Sequence, residues 1–485
     1  MTSWSDSSQD CITTDDPQDT IEDHALERVP DHARQSWLKI SWNTAGIVTT
    51  LVILFFGALV TFVAGFRIAL LAGVFVTLVG GLLGCLTGQV AYRTGLSNTV
   101  ITRKHGFGVK GSVVASAVYS FMIIGFLALE NALLYKGSLF YFRLEDTLAN
   151  ATLIYGLFTV VWIVLTTWGF ELVTRVSSIS MVGFFAVLTY MTWLVVSRAG
   201  LSFGQITSFP AQLPSAGLAA LRADTDLGKF VFAVNVLIGS AGALSLTIAD
   251  LCRYARSTRD VVISALVGNF ALGILMLALG GIVMYAGMPS LVDHYVTVSK
   301  LAPEAARRLA LESPDSVAAA FVVFGGFLGT ILMFLAQGKA QVLNTYSASL
   351  ALSNLCDAAG HWRPGRFWFV VLANLIGLFM LQGQILHLVR EWVTLLGVLT
   401  TCVAGIIVCD CYLLGRIDLS RHRMKSEAVN WAGVVTVLVS TVLAHYIMNR
   451  WIRIEFFTSL GVTLLLYPSL RLMLLSMRAS QAAAE

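Results

Sequence analysis

The residues best able to do chemistry in this chain are an acid, an amine and four primary amides, all set in stretches that are otherwise oily. Glu130 and Asn131 close the run Gly125-Phe126-Leu127-Ala128-Leu129-Glu130-Asn131. Gln337, Lys339, Gln341 and Asn344 follow a long apolar run, in Gln337-Gly338-Lys339-Ala340-Gln341-Val342-Leu343-Asn344. On a helix, spacings of three and four put Gln337, Gln341 and Asn344 on one face. A primary amide offers a donor and an acceptor in one plane, which matches the amide edge of a nitrogen heterocycle. A carboxylate such as Glu130 can accept from an N–H, attract a cation or carry a proton. An ionisable group at membrane depth costs about 2.5–3.5 kcal/mol on insertion scales, so it normally faces a cavity or a partner. The alternatives are a snorkelling Glu130 near the interface and a polar cytosolic end for the amide-bearing helix.

A third polar cluster is Gly239-Ser240-Ala241-Gly242-Ala243-Leu244-Ser245-Leu246-Thr247-Ile248-Ala249-Asp250. Its small and hydroxyl residues tolerate local unwinding, with freed backbone groups turned toward a cavity. Asp250 and Arg253 read more simply as a surface ion pair. Trp42-Asn43-Thr44-Ala45-Gly46 is a similar small polar stretch, with Gly46 a candidate for close approach by a ligand. Interrupted helices at matching places of two halves are the mark of inverted-repeat transporters.

The elements that must position these residues are long and apolar. The 485 residues are 56% hydrophobic and 12% charged, against about 25% charged in soluble chains. A hydrocarbon core of about 30 Å needs roughly 20 apolar residues per helical crossing. Runs of that kind occur at about 44–66, 68–91, 112–136, 151–170, 176–198, 228–250, 259–287, 316–346, 367–383, 388–414, 429–448 and 454–476. The expected fold class is therefore an all-α integral membrane protein of about twelve transmembrane helices. Residues 1–40 read as a mostly disordered cytosolic tail, 41–476 as one transmembrane domain and 477–485 as a second cytosolic tail.

The tail is acidic, with Asp6, Asp10, Asp15, Asp16, Asp19, Glu22 and Asp23, and does not resemble a secretory signal. Lys and Arg are denser on the amino-terminal side of the bilayer, in the clusters Arg93, Arg103, Lys104, Lys110 and Arg416, Arg421, Arg423, Lys425. That bias predicts a multi-pass cell-membrane protein with both termini cytoplasmic. Only Pro468 falls inside a predicted span, so any broken helix elsewhere must rely on glycine, serine or threonine. Two glycine groups, Gly80-Gly81-Leu82-Leu83-Gly84 and Gly325-Gly326-Phe327-Leu328-Gly329, read first as helix-packing surfaces and alternatively as a sliding contact between bundles.

Enzymatic function is not expected. The eight histidines are scattered, and neither a phosphate-binding Gly-rich loop nor a His-Glu-x-x-His motif occurs. Cys409-Asp410-Cys411 is a poor match to tetrahedral metal ligation. The net charge of +4 is too weak to suggest nucleic acid, and no metal or cofactor is expected.

Several segments resemble, in order, the purine/cytosine permease branch of the nucleobase:cation symporter family. They are Ala25-Leu26-Glu27-Arg28-Val29-Pro30, Phe107-Gly108-Val109-Lys110-Gly111-Ser112, Ile248-Ala249-Asp250-Leu251-Cys252-Arg253-Tyr254, Asn344-Thr345-Tyr346-Ser347 and Val429-Asn430-Trp431. The resemblance spans residue 22 to about residue 435. It implies a five-plus-five inverted-repeat fold with two extra C-terminal helices, working by alternating access. It also implies a substrate stacked between aromatics on helices three and six and hydrogen-bonded from helices three and eight. Carried over, the helix-three aromatic is Phe126, the helix-six aromatic position holds Ser240 or Ala241, and the helix-eight amides are Gln341 and Asn344. The helix-three glutamine of the family falls on Ile123.

The chain departs from the family at two of these places. Without the second ring the pocket is larger, which favours a bigger or cationic heterocycle over free cytosine. Sodium-coupled relatives carry two hydroxyl residues on helix eight where this chain has Lys339 and Ala340. An ammonium cannot coordinate sodium and can take its place as a fixed or protonatable charge. The expected function is import of a purine, pyrimidine or related nitrogen heterocycle, coupled to protons rather than sodium through Lys339 and Glu130. The alternative is a carrier of a cationic vitamin-like or amidine compound recognised by Glu130.

Overall fold

With no water in hydrocarbon to satisfy backbone N–H and C=O groups, a chain this apolar must close its hydrogen bonds within helices or a closed barrel. The computed structural model describes residues 26–167, 169–313, 315–382, 388–415 and 427–482. Within them each of the twelve apolar segments is helical. The basic cluster from Arg416 to Lys425 and the acidic tail up to Ala25 lie outside the described residues.

The first segment is split into α1 (Trp37–Val48) and α2 (Leu51–Ala64), which meet at 62°. Then come α3 (Phe66–Thr94), the short α4 (Asn98–Lys104), α5 (Ser112–Phe142), α6 (Leu148–Thr167) and α7 (Gly169–Ala199). The second half runs through α8 (Asp226–Cys252), α9 (Thr258–Thr297), the short α10 (Pro303–Glu312), α11 (Asp315–Gly325) and α12 (Phe327–Gly360). It ends with α13 (Arg366–Gln382), α14 (Val389–Val408), α15 (Trp431–Val442) and α16 (Glu455–Ala482).

The packing partners show the internal repeat. The split first segment lies against the seventh (α2 on α9), as the sixth lies against the second (α8 on α3). Segments three and eight, α5 and α12, pack on each other. Exchanging segments one to five for six to ten maps these pairs onto one another, as an inverted repeat requires. α5, α8 and α14 are mostly buried, whereas α6 and α16 turn most of their surface outward. On α6 the outward side chains include Leu148, Leu153, Leu157 and Val160, the apolar face expected against lipid.

Helix breaks fall at small and hydroxyl residues. Thr49 and Thr50 leave helical geometry between α1 and α2, and Thr50 caps the new start by accepting from the Ile53 amide at 3.4 Å. The break between α11 and α12 falls at Gly326, whose φ of 52° and ψ of −123° suit only glycine. Pro289 lies inside α9, beyond the apolar run read from the sequence.

The described end of the tail is docked: Val29 N donates to the Gly95 carbonyl at 2.9 Å, and Gln35 N to that of Tyr254 at 2.6 Å. The Phe107–Ser112 motif is likewise held by backbone contacts. Val109 N reaches the Glu427 carbonyl, Lys110 N that of Ala428, and Asn430 N that of Phe107.

Candidate functional site

The break in the first segment leaves backbone groups that α1 and α2 cannot pair internally. Two side chains of α12 meet them. Lys339 Nζ donates to the Thr49 carbonyl, and also to that of Ala336 at 3.2 Å. Gln337 accepts from Leu51 N at 3.3 Å and donates through Nε2 to the Glu130 carbonyl at 3.1 Å. Lys339 has no exposed surface, and its ammonium sits 4.3 Å from the centre of the Phe184 ring. A buried cation held by carbonyls and an aromatic face keeps favourable partners for its charge.

One turn further along α12, Asn344 Nδ2 donates to Glu130 Oε2 at 3.0 Å. Glu130 is only 3% exposed, so it does not snorkel to the interface. The two side chains line a cavity of about 30 Å3 with Phe126 of α5, Ile47 and Thr50 at the break, and Leu244 and Thr247 of α8. Segments one, three, six and eight therefore meet at one hollow. Gln341 is buried beside it rather than in its lining. Its Nε2 donates to the Leu127 carbonyl at 2.9 Å, while its Oε1 has no partner among the described residues. Gly46 is buried in α1, one turn before the break.

The sixth segment differs from expectation. α8 is helical without interruption from Asp226 to Cys252, so its small residues do not unwind. Two of them permit a close helix crossing instead. A Cβ on Gly239 would lie 2.8 Å from the Val393 carbonyl oxygen, and one on Gly242 would lie 2.6 Å from Thr400 Oγ1. Both contacts are with α14, and the gain is packing between backbones. Ser240 and Ala241 lie within this helix, and their side chains are outside the described residues. Asp250 and Arg253 are not on the surface. Both are buried, Asp250 accepting from Asn98 N at 2.7 Å and Arg253 donating to Tyr346 OH at 3.0 Å. Asp410, between two cysteines, is taken by the Tyr467 hydroxyl at 2.6 Å and lies 3.1 Å from His105 Nδ1.

The site gains one residue that no cue in the sequence marks. Trp392 of α14 stands edge-on to Phe126, with centroids 5.0 Å apart and planes at 79°. It lies so close to Gly125 that a Cβ there would fall 2.1 Å from Trp392 Cζ2. Its indole N–H is buried without a partner among the described residues. A tryptophan near the start of a span usually reads as an interfacial anchor, which hides this role.

Chemically, the hollow offers one carboxylate, one amide and an aromatic face, with a fixed cation one turn away on α12. Such a set can hold a small planar solute by its edge and face; it contains no nucleophile–base pair for bond making.

A family model described as permease for cytosine/purines, uracil, thiamine, allantoin matches residues 29–467. Among solved structures, the chain is similar to Mhp1, a nucleobase-cation-symport-1 family transporter, in a closed conformation with bromovinylhydantoin bound. The identity is 17%, the TM-score 0.67, and 92% of this chain and 94% of that one are covered. Against inward-facing Mhp1 the TM-score is 0.63, at 17% identity over 91% and 93% of the two chains. A Na+-coupled sialic acid symporter in a substrate-bound outward-open state matches with a TM-score of 0.58, at 12% identity over 93% and 92%. At these identities the likeness establishes the fold. No curated protein matches the chain in sequence.

Proposed function

We propose that this chain, which belongs to the family of permeases for cytosine/purines, uracil, thiamine and allantoin, imports a purine, pyrimidine or related nitrogen heterocycle together with a proton. The observation that carries this reading is the Glu130–Asn344 pair, a buried acceptor and donor 3.0 Å apart facing the cavity where four segments meet.

At about 30 Å3 the cavity is far smaller than the 300–1,000 Å3 typical of ligand sites. A substrate must part the pair and displace Phe126. A heterocycle with an N–H beside a C=O restores both bonds, its N–H donating to Glu130 and its carbonyl accepting from Asn344. A solute lacking either group leaves one buried partner unmet, at about 1–3 kcal/mol. The Phe126 ring supplies a stacking face, Trp392 backs that ring, and Gln341 holds α12 against α5.

Coupling is assigned to Lys339 and Glu130. The ammonium of Lys339 already engages the Thr49 carbonyl, so a fixed charge stands where sodium-coupled relatives carry a hydroxyl ligand. Protonation turns Glu130 from an acceptor into a donor, so substrate and proton compete for, or share, one carboxyl. The Arg103, Lys104 and Lys110 side of the bundle is assigned to the cytosol, and with it both termini, including residues 1–40 and 477–485.

Carriage of a cationic vitamin-like or amidine compound is the second reading. A carboxylate in the cavity lining favours it, as does the presence of thiamine in the description of the family.

Uptake of labelled heterocycles into proteoliposomes under imposed gradients tests both. Stimulation by an inward proton gradient is expected. Stimulation by sodium alone overturns the coupling assignment, and full uptake of a cationic substrate by Glu130→Gln overturns the second reading.

A further inference from the structure

A second cavity, of about 450 Å3, lies where the far ends of α2, α7, α9 and α11 come together, at the opposite end of the bundle from Arg103 and Lys104. It shares no residue with the hollow at Glu130. Its volume is within the range of small-molecule sites.

The composition of its lining is one-sided. Two guanidiniums, Arg198 at the end of α7 and Arg307 on α10, stand over apolar walls that include Phe62, Val195 and Phe324, and no carboxylate lines it among the described residues. Neither arginine has an ion pair or hydrogen bond among the described residues. The neighbouring Arg308, in contrast, is paired with Glu312 at 3.1 Å. Gln212 has already committed its amide N–H to the Pro210 carbonyl at 2.7 Å. The Tyr285 wall is fixed by stacking on Phe209, with centroids 4.1 Å apart and planes at 7°.

Two guanidiniums over an apolar floor make a recognition surface for an anion with an oily body. Arginine is the side chain that pairs most readily with phosphate or carboxylate, and a site lined by one sign of charge concentrates the opposite sign. We infer that this cavity binds an anionic amphiphile, its phosphate or carboxylate on Arg198 and Arg307 and its apolar part against Phe62 and Phe324. An anionic phospholipid of the outer leaflet and a soluble organic acid supply the same chemistry.

Occupancy would bridge elements that belong to different parts of the fold. Phe62 is near the end of α2, the outer half of the broken first segment. Phe324 lies two residues before the Gly326 break, and its ring is pressed on Gly287 of α9, where a Cβ would fall 2.0 Å from Phe324 Cζ. A bound amphiphile therefore ties α2, α9 and α11 together at the outer rim.

The test uses the full chain in nanodiscs and the double variant Arg198→Gln/Arg307→Gln. Both side chains are exposed, so folding should be preserved. In one arm the thermal midpoint is compared in phosphatidylcholine with and without phosphatidylglycerol. In the other, octanoate is titrated into phosphatidylcholine nanodiscs. A midpoint rise with phosphatidylglycerol that the double variant loses assigns the site to lipid. Octanoate binding that weakens about ten-fold or more in the variant assigns it to a soluble acid. Equal responses of wild type and variant in both arms overturn the inference.

Discussion

Lys339 donates its ammonium to the carbonyl of Thr49, the residue at which the first membrane segment breaks. A helix that ends inside a bundle must find partners for its last carbonyls. Here a cation on a neighbouring span supplies one, and Gln337 beside it takes the first free amide of the next half. Moving α12 relative to α1 and α2 would uncover all of these groups together. The charge that stabilises the break is thus also placed to sense the state of the carrier.

Lys339→Met is expected to remove the response of uptake to an inward proton gradient. It should also lower the thermal midpoint, because the Thr49 carbonyl then stays buried and unmet at about 1–3 kcal/mol. Measurement is by gradient-driven uptake with thermal unfolding of the same preparation. A variant that keeps the full proton response contradicts the role given to this lysine.

Gly125→Leu tests the placement of Trp392. Any side chain at 125 collides with the indole, whose Cζ2 would lie 2.1 Å from the new Cβ. Displacing it removes the edge-on support of Phe126. Apparent substrate affinity should fall about ten-fold, in line with roughly 1–3 kcal/mol for lost stacking, while Trp392→Phe with Gly125 intact should keep most of it. Unchanged affinity in Gly125→Leu would detach Trp392 from the site.

Gly239→Leu should destabilise the bundle, because α8 and α14 touch there through backbone. A Cβ on the facing Gly397 would lie 2.5 Å from the Gly239 Cα. Overpacking of this kind costs about 1–3 kcal/mol. The thermal midpoint of Gly239→Leu in detergent reports it, and a midpoint equal to wild type would mean that the crossing is looser than described.

At the carboxyl end of α12, Asp357 holds two arginines, Arg103 at 2.6 Å and Arg363 at 2.5 Å. Arg103 also donates to Asn354 Oδ1 at 2.6 Å, tying α4 to the end of α12. Asp357→Asn leaves Arg103, which is largely buried, facing a neutral partner. Losing one member of a buried pair costs about 3–5 kcal/mol as an upper figure, less here because Arg363 is largely exposed. Lower thermal stability together with greater labelling of Cys356 by a thiol reagent is expected; the absence of both changes would mean that the pair does not hold α4 against α12.

What the sequence reveals depends on how distinctive each physical demand is. Spans are legible because hydrocarbon requires some 20 apolar residues in a row. Glu130 and Lys339 stand out because charges at membrane depth are rare. The sixth segment misleads, since glycine and serine serve a close helix crossing as well as they serve an unwound stretch; only the presence of Gly397 and Thr400 opposite Gly239 and Gly242 distinguishes the two. Asp250 and Arg253 mislead for a related reason. Their spacing is local, but their partners, Asn98 and Tyr346, come from distant segments. Trp392 and the break at Thr49 and Thr50 are set by what packs against them, which no single segment records.

Equilibrium binding to the purified chain tests the central claim most directly. Calorimetric titration of wild type, Glu130→Gln and Asn344→Ala with cytosine, uracil, a purine and allantoin measures whether one heterocycle bridges these two side chains. At least one compound should bind wild type and lose about ten-fold or more in each variant, the cost of one unmet buried partner. Binding that survives undiminished in both variants, or no binding by any of the four, would contradict the account.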